Sequence, residues 1–174
     1  MSQTSYALTQ SAAYEGARGD SRPADILPAR NVSGGELPFG RFVKATTDSQ
    51  GVTVLGASSD VIKGVTVLTA ARMPRGSNWV SGAPVSTSAT GIQDGAQCDV
   101  LSRGTVWMIA EEALAITDTL FTRYDASGAT GSQALGRVRN DADTSTAVSL
   151  AGKARLMTTA AAAGDLVLVE VNIP

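Results

Sequence analysis

The chain has 174 residues, a net charge of −2, 43% hydrophobic and only 5% aromatic residues, no histidine and one cysteine. Without histidine there is no Ser-His-Asp or Cys-His triad, and the commonest general base and metal ligand are missing. One cysteine excludes an internal disulfide and a cysteine-based zinc site. The slightly negative charge, without a clustered basic face, argues against nucleic-acid binding.

The first 37 residues differ from the rest of the chain. They contain few aliphatic clusters and no regular hydrophobic period, so this segment cannot bury much apolar surface by itself. We therefore divide the chain into an extended N-terminal arm, residues 1–37, and a β domain, residues 38–174. Tyr and Arg are enriched at protein interfaces. The predicted partner contacts in the arm are Tyr6, Tyr14, Arg18, Arg22 and Arg30.

From residue 38 onward, short β-prone segments recur and are separated by glycine-bearing turns. Regular spacing of this kind predicts an all-β fold, either a jelly-roll-like sandwich or a small barrel, with the arm extending from it. The predicted strands cover residues 39–45, 51–55, 64–68, 78–80, 84–88, 96–101, 105–110, 119–124, 134–138, 155–159 and 165–173.

One pentapeptide, GVTVL, occurs at residues 51–55 and again at residues 64–68. Its valines fall on one face of a strand at a period of two. We expect the two copies to form a β-hairpin or a pair of strands that cross one sheet. A repeat architecture would need a third copy, which the sequence lacks.

Two stretches contain good helix formers. Residues 108–116 favour a helix by propensity, but they follow directly on a strand pattern, and we interpret them as strand plus turn with helix as the alternative. The alanine run at residues 160–163 could end a helix at Gly164. Trp79 and Trp107 fall in strand segments and are expected in the core, and Cys98 is expected to be a buried small hydrophobe.

Two acidic groups are the main candidates for chemistry. Glu111 and Glu112 are adjacent, so in a strand they would face opposite sides, and we expect a solvated edge there. The spacing of Asp141, Asp143 and Ser145 opens an EF-hand loop, but residues 146 and 152 are not the Gly and Glu that the motif needs. We therefore expect a polar loop with no metal.

Other motifs do not favour an enzyme. There is no Ser-x-x-Lys motif, nucleophile elbow or phosphate loop, so we expect no catalysis and no cofactor. Residues 18–20 spell Arg-Gly-Asp, the tripeptide that integrins recognise, but three residues match often by chance, and we expect a turn at residues 19–20. No stretch of 18 apolar residues predicts a membrane span, and residues 1–30 lack a secretory signal pattern.

The order of these segments resembles the structural cement, or capsid decoration, proteins of tailed bacteriophages. The resemblance covers roughly residues 40–174. The segments that carry it are VIKGV at 61–65, WVSGAPV at 79–85, DVLSRGTVWM at 99–108, ALG at 134–136 and AGDLVLVEVN at 163–172.

This resemblance implies a jelly-roll-like domain on the outer surface of a phage head, made in the host cytoplasm. Such a protein would bind the major capsid protein, bridge its subunits and associate with itself as a dimer or trimer, without nucleic acid or membrane. The alternatives are a tail-tube, baseplate or head-fibre protein and, further away, a ligand-binding β domain.

Overall fold

The computed structural model describes residues 13–20, 22–68 and 91–174. Within these residues the secondary structure consists of strands, with no helix. The strands are β1 (Asp25–Asn31), β2 (Leu37–Pro38), β3 (Phe42–Ala45), β4 (Gly51–Val54), β5 (Ile62–Val67), β6 (Gly91–Ile92), β7 (Gln97–Ile109), β8 (Phe121–Arg123), β9 (Val138–Arg139), β10 (Ala147–Ser149), β11 (Ala154–Leu156) and β12 (Leu166–Asn172).

Five of these strands close into a barrel. The pairing runs from β1 to β4, β3, β5 and β7, and β7 then pairs back onto β1. The β1–β4 pair is parallel and the other four pairs are antiparallel. Closure gives each barrel strand a neighbour on both sides and so leaves little exposed edge. The predicted all-β fold is confirmed, and it takes the form of a small barrel with additional sheets.

The long strand β7 joins the barrel to the rest of the sheet. Its first half pairs with β1 and β5, and its second half pairs with β12 from Arg103↔Asn172 to Ile109↔Leu166. The register between β1 and β7 shifts opposite Arg103, next to Gly104. Gly104 has a φ of +134°, and a Cβ there would lie 3.0 Å from the Cβ of Ala24, so the irregular backbone favours glycine.

Two hydrophobic clusters share the barrel wall between them. The smaller cluster draws on four barrel strands through Ala29, Val43, Val52 and Val100. These side chains are small, as the narrow interior of a five-stranded barrel requires. We call this smaller cluster the inner core. The larger cluster, the outer core, packs on the outside of the barrel wall. It includes the sequence neighbours of two inner residues: Phe42 beside Val43, and Leu101 beside Val100. Strand alternation thus produces two cores from one sheet.

The outer core is covered by a second, three-stranded sheet of order β10-β8-β9. A parallel bridge between Ala110 and Val138 links this sheet to the end of β7, and a bridge between Leu114 and Ala160 closes the adjacent loops. Leu120 and Leu150 of this region are buried in the outer core. A two-stranded ribbon of β2 and β6 contributes Leu37 and Ile92 to the inner core.

The GVTVL repeat forms two strands of one sheet, β4 and β5, but the two copies do not pair with each other. Strand β3 lies between them and is antiparallel to both, so the hairpin interpretation is wrong and the interpretation as two strands of one sheet is confirmed. Val52, Val65 and Val67 are fully buried, whereas Val54 is half-buried. Because β5 also pairs with β7, its two valines reach the outer core.

The helix alternative for residues 108–116 is wrong, because β7 runs to Ile109 and bridged loops follow. The alanine run at residues 160–163 forms no helix either. The predicted strands at 96–101 and 105–110 are one strand, β7. Cys98 is buried as expected, whereas Trp107 is only half-buried. The predicted strands at 78–80 and 84–88, together with Trp79, lie outside the described residues.

Part of the predicted arm belongs to the barrel wall, since β1 occupies residues 25–31. Pro28 in this strand pairs with Asp99 of β7, while β4 pairs only with Arg30 and Asn31. Pro28 therefore has a paired strand on one side only. On the other side the described residues form no strand to which an N–H could donate, so the missing N–H costs no hydrogen bond there. The division of the chain at residue 37 stays a prediction.

We expect Leu101→Ala to lower the free energy of unfolding by about 2–5 kcal/mol, because it leaves a cavity in the outer core. Leu101 is fully buried, while Leu27 of β1 is 41% exposed. Leu27→Ala is the matched control and should cost less than about 1 kcal/mol. Urea unfolding followed by fluorescence measures both variants, and equal losses would contradict the assignment of Leu101 to the core.

Candidate functional site

The N-terminal segment at residues 13–20 is attached to β7 by main-chain hydrogen bonds. Gly16 N donates to Trp107 O at 2.7 Å, Trp107 N donates to Ala17 O at 2.8 Å, and Gly19 N donates to Thr105 O at 2.9 Å. The segment thus lies beside the second half of β7 in the manner of a short extra strand. These bonds fix the backbone from which the predicted contact residues project.

Two glycines allow this close approach. A Cβ on Gly16 would lie 2.5 Å from the Cβ of Phe39, and the φ of Gly16 is +82°. A Cβ on Gly19 would lie 2.1 Å from Leu168 Cδ1 and 2.8 Å from Thr105 Oγ1. Gly16 therefore requires glycine, because of its φ and its contact with Phe39, whereas a side chain at Gly19 would displace Leu168.

The docked segment contains the Arg-Gly-Asp tripeptide, and the predicted turn at residues 19–20 is wrong. The turn is at residues 15–16, and Arg18 forms an antiparallel bridge with Val106 of β7. Asp20 accepts from Arg22 Nε at 2.6 Å. The tripeptide is thus held against the sheet, with its carboxylate paired.

Four of the five predicted contact residues lie on the surface. Tyr14 is 69% exposed, and Arg18, Arg22 and Arg30 are exposed as well. Tyr6 lies outside the described residues. Tyr14 projects from the segment that is bonded to β7, so a large aromatic side chain faces solvent from an ordered backbone.

The structure brings Arg18 and Arg22 together but not Arg30. Arg18 Nη2 donates to Arg22 O at 2.9 Å. Arg30 lies near the other end of β1, five residues beyond Asp25 or roughly 16 Å of extended strand, and it pairs with Asp48 at 2.9 Å. Among the predicted contacts, Arg18 and Arg22 are thus brought together, and Arg30 lies apart from them.

Glu15 connects the docked segment to the barrel by charge. Its Oε1 lies 3.2 Å from Arg41 Nε and 3.6 Å from Arg137 Nε, yet none of these three atoms has a hydrogen bond within the described residues. Burial raises the pKa of Glu15 although both guanidinium groups lower it, and burial lowers the pKa of Arg41 to about 10. The contact is thus an attraction without good hydrogen-bond geometry, weaker than a fully bonded pair.

A second charged cluster is buried behind β8 and β9. Arg123 Nε donates to both carboxylate oxygens of Glu111 at 3.0 and 2.9 Å, and Arg139 Nη1 donates to Glu111 Oε2 at 3.0 Å. Ala134 N adds a bond to Oε1 at 2.9 Å. The expectation of a solvated edge is therefore wrong for Glu111, which is buried with its charge fully bonded; Glu112 is one-third exposed.

The acidic loop predicted around residues 141–145 is a polar loop, as expected, and its carboxylates are taken by the same arginines. Asp143 Oδ2 accepts from Arg123 Nη2 and, at 2.9 Å, from Arg139 Nη1. Asp141 Oδ1 accepts from Arg139 Nη2 at 2.6 Å. Guanidinium groups occupy the oxygens that a cation would need. The described residues hold no group of three metal-ligating side chains.

This loop has an unusual backbone. Asp143, Thr144 and Ser145 have φ values of +40°, +54° and +68°, which cost roughly 1–2 kcal/mol each in a residue with a Cβ. Bonds compensate: Thr146 Oγ1 donates to Asp143 O at 2.8 Å, and Tyr124 Oη donates to Ser145 O. Together with the two buried arginines, these bonds hold the loop in one conformation.

Sequence reasoning missed the Glu111 cluster, because each of its residues looks like an ordinary surface charge. The available signal was the position of Arg123 and Arg139 inside short β-prone segments, where alternate residues face the core. The charged groups in each of the two clusters are paired with each other. Their arrangement stabilises loops. The described part of the chain contains no helix that could span a membrane.

These features define the class of the protein: an all-β barrel protein whose buried charges hold structure in place. The family model described as "Structural cement protein (E217 gp24/Pam3 gp6)" matches residues 2–172. The chain belongs to this phage structural cement protein family. Membership implies a structural, non-enzymatic role, a place in the virion capsid and association with its shell.

A solved structure shares the fold. It is described as "The capsid of Myoviridae Phage XM1" and aligns over 98% of this chain and 96% of that chain, with a TM-score of 0.61 and 19% sequence identity. At this identity the likeness shows the fold alone. No curated protein matches the chain.

We expect Arg123→Met to lower the free energy of unfolding by about 3–5 kcal/mol, because it deprives the buried Glu111 of half its counter-charge. Arg155 also pairs with a glutamate, Glu170, but its side chain is 71% exposed. Arg155→Met is therefore the matched control, with an expected loss of about 0–1 kcal/mol. Thermal and urea unfolding would contradict the role of the cluster if the two variants lost the same stability.

The bond from Arg123 holds the pKa of Asp143 below its ordinary value of 3.8. A depressed carboxyl pKa contributes stability above pH 3.8, and this stability is lost as pH falls through the lower, folded-state value. We expect Asp143→Asn to cost about 1 kcal/mol at pH 7. The difference from wild type should shrink towards zero between pH 4 and pH 2. Urea unfolding across this range measures it, and a constant difference would exclude the ionic role.

Proposed function

We propose that this protein is a capsid cement protein that binds the outer surface of the phage head and bridges neighbouring major capsid protein subunits. Family membership over residues 2–172 is the observation that carries the proposal. A bridging role needs no chemistry, and the barrel with its paired internal charges suits a rigid spacer. The same family membership favours this role over a tail-tube, baseplate or head-fibre role.

The proposed contacts with the shell are Tyr6, Tyr14, Arg18, Arg22 and Arg30. Tyr14 supports this choice most directly, since it exposes 69% of its surface from a backbone that β7 holds in place. An ordered aromatic side chain loses little entropy on binding, which is why such residues often dominate interface energies. Arg18 and Arg22 contact each other and follow Tyr14 by four and eight residues in the same segment.

We further propose that the protein assembles as a dimer or trimer, is made in the host cytoplasm, performs no catalysis and binds neither nucleic acid nor membrane. Oligomers on a lattice bind through several weak contacts at once, so the overall affinity exceeds that of any single contact. The net charge of −2 gives no general attraction to nucleic acid. Sedimentation equilibrium of the free protein measures the oligomeric state.

We expect the purified protein to bind heads assembled without it and to raise the temperature at which those heads disassemble. Tyr14→Ala should weaken binding about tenfold, in line with loss of an interface hot spot. Ile116→Ala is the matched control, since Ile116 is 57% exposed and lies outside the arm. Co-sedimentation with heads gives the affinity, and fluorescence of a DNA dye during heating gives the disassembly temperature.

Deletion of residues 1–12 tests the arm without removing β1 from the barrel. If the arm grips the shell, the truncated protein should fold but bind heads less tightly. Wild-type protein that fails to bind heads, or that leaves their disassembly temperature unchanged, would refute the cement role. Equal binding by Tyr14→Ala and wild type would refute the proposed contact.

A further inference from the structure

The outer face of β7, β12 and β11 carries a patch of polar side chains at one end. Arg103 pairs with Asn172 across β7 and β12, and Asn172 N donates to Lys153 O at 2.7 Å. Arg155 pairs with Glu170 one row further along. Residues directly opposite each other share a face of the sheet, so Arg103, Asn172, Glu170 and Arg155 project to the same side, and Lys153 lies beside them at the start of β11.

The other face of the same strands is apolar and buried. Leu156, Val169 and Val171 pack into the outer core with at most 4% of their surface exposed. The polar rows therefore stand on a rigid base. Gly19 of the docked segment lies against Leu168, the next outward residue of β12, so the N-terminal segment covers the adjoining part of this face.

An open cleft of about 520 Å³ lies over these rows. Its charged lining residues are Arg103, Lys153, Arg155 and Glu170. Glu170 accepts a hydrogen bond from Arg155 Nε, so its carboxylate is already engaged. With three cations and one carboxylate, the cleft carries a charge of +2 in a chain whose net charge is −2. It is a local site of positive charge on a slightly acidic protein.

The cations of the cleft are accessible. The side chains of Arg103 and Arg155 are 64% and 71% exposed, and Lys153 is exposed as well. Across the described ranges, the ammonium group of Lys153 has no hydrogen-bond or ion-pair partner. Arg103 Nε donates a hydrogen bond to Asn172 Oδ1 at 3.1 Å, and its distance to the Asp25 carboxylate is 3.8 Å. Lys153 and Arg103 can therefore take carboxylates from another molecule without first breaking a strong internal pair. Arg155 already pairs with Glu170 through its Nε, so it would offer its two Nη groups.

We propose that this cleft binds an acidic, extended polypeptide segment of the capsid shell, with its carboxylates placed on Lys153, Arg103 and Arg155. The proposal rests on the proposed cement function and names a contact surface that lies beyond the predicted arm residues. Arginine pairs carboxylates with two parallel bonds. Within the described ranges β11 is the edge of its sheet, where an extended segment can lie alongside. Among the residues that the structure describes, the lining contains no aromatic side chain on which a nucleic-acid base could stack.

A direct test uses a hexaglutamate peptide as the probe and isotope-labelled protein in solution. We expect amide chemical-shift changes at residues 103, 152–155 and 170–172, weakening as salt is raised. Lys153→Glu should reduce the affinity at least tenfold. Lys63→Glu makes the same change of charge at a lysine that bonds Ser49 O instead, and it should leave the affinity within twofold of wild type.

Three results would overturn the proposal: no binding of hexaglutamate, shifts at other residues, or equal affinity in Lys153→Glu and wild type. Tighter binding of a single-stranded oligodeoxynucleotide at the same residues would overturn the protein assignment in favour of nucleic acid. Co-sedimentation with heads distinguishes failure of the cleft proposal from failure of the cement proposal. If wild type binds heads and Arg103→Glu/Lys153→Glu binds them equally well, only the cleft proposal fails. If wild type does not bind heads, the cement proposal fails, and the peptide titration still decides whether the cleft binds carboxylates.

Discussion

The main-chain pairing of β7 is the interaction on which the rest of the structure depends. One half of this strand closes the barrel against β1 and β5, and the other half holds β12 and the docked N-terminal segment. A single extended backbone thus positions both cores, the exposed Tyr14 and the cationic cleft. The irregularity at Gly104 lies between the halves, where the strand passes from one set of partners to the other.

Charge is used inside this protein in two different ways. Both carboxylate oxygens of Glu111 have donors at hydrogen-bond distance, which offsets the cost of burying the charge and joins the loop after β7 to β8, to β9 and to the loop at Ala134. Around Glu15 the charges are close but poorly aligned, so burial outweighs attraction and raises the pKa of the carboxyl. The first cluster makes the three-stranded sheet rigid. The second gives the N-terminal segment a weaker attachment beyond its main-chain bonds.

Much of the fold could be predicted from local patterns, and the failures have physical causes. The alternation in residues 165–173 predicts β12 well, since every second side chain enters the outer core. Strand β1 escaped detection because Pro28 interrupts it and only Ala29 and Asn31 of its seven residues are buried. At residues 108–116, helix propensity is overruled by pairing of β7 with a strand some 60 residues later in the chain.

Part of the candidate site could likewise be predicted from the sequence, and part could not. Exposure of Tyr14, Arg18, Arg22 and Arg30 agrees with composition-based reasoning, since such residues in an apolar-poor segment have no core to enter. The cleft could not be foreseen, because it depends on the register between β7, β12 and β11. A shift of one residue in either pairing would turn Lys153 or Arg103 to the opposite face.

Closure of the barrel by its first strand has a consequence for biosynthesis. Asp25 pairs with Arg103 and Arg30 with Gln97, so the partner of β1 leaves the ribosome about 70 residues after β1 itself. At roughly 5–20 residues per second this delay lasts roughly 4–14 seconds. During that interval β3, β4 and β5 can pair among themselves, but β1 has no antiparallel neighbour. Strand β1 is therefore made before its barrel partners and waits longest for its antiparallel neighbour, which leaves that side of β1 available to neighbouring chains for longer than any other side of a barrel strand.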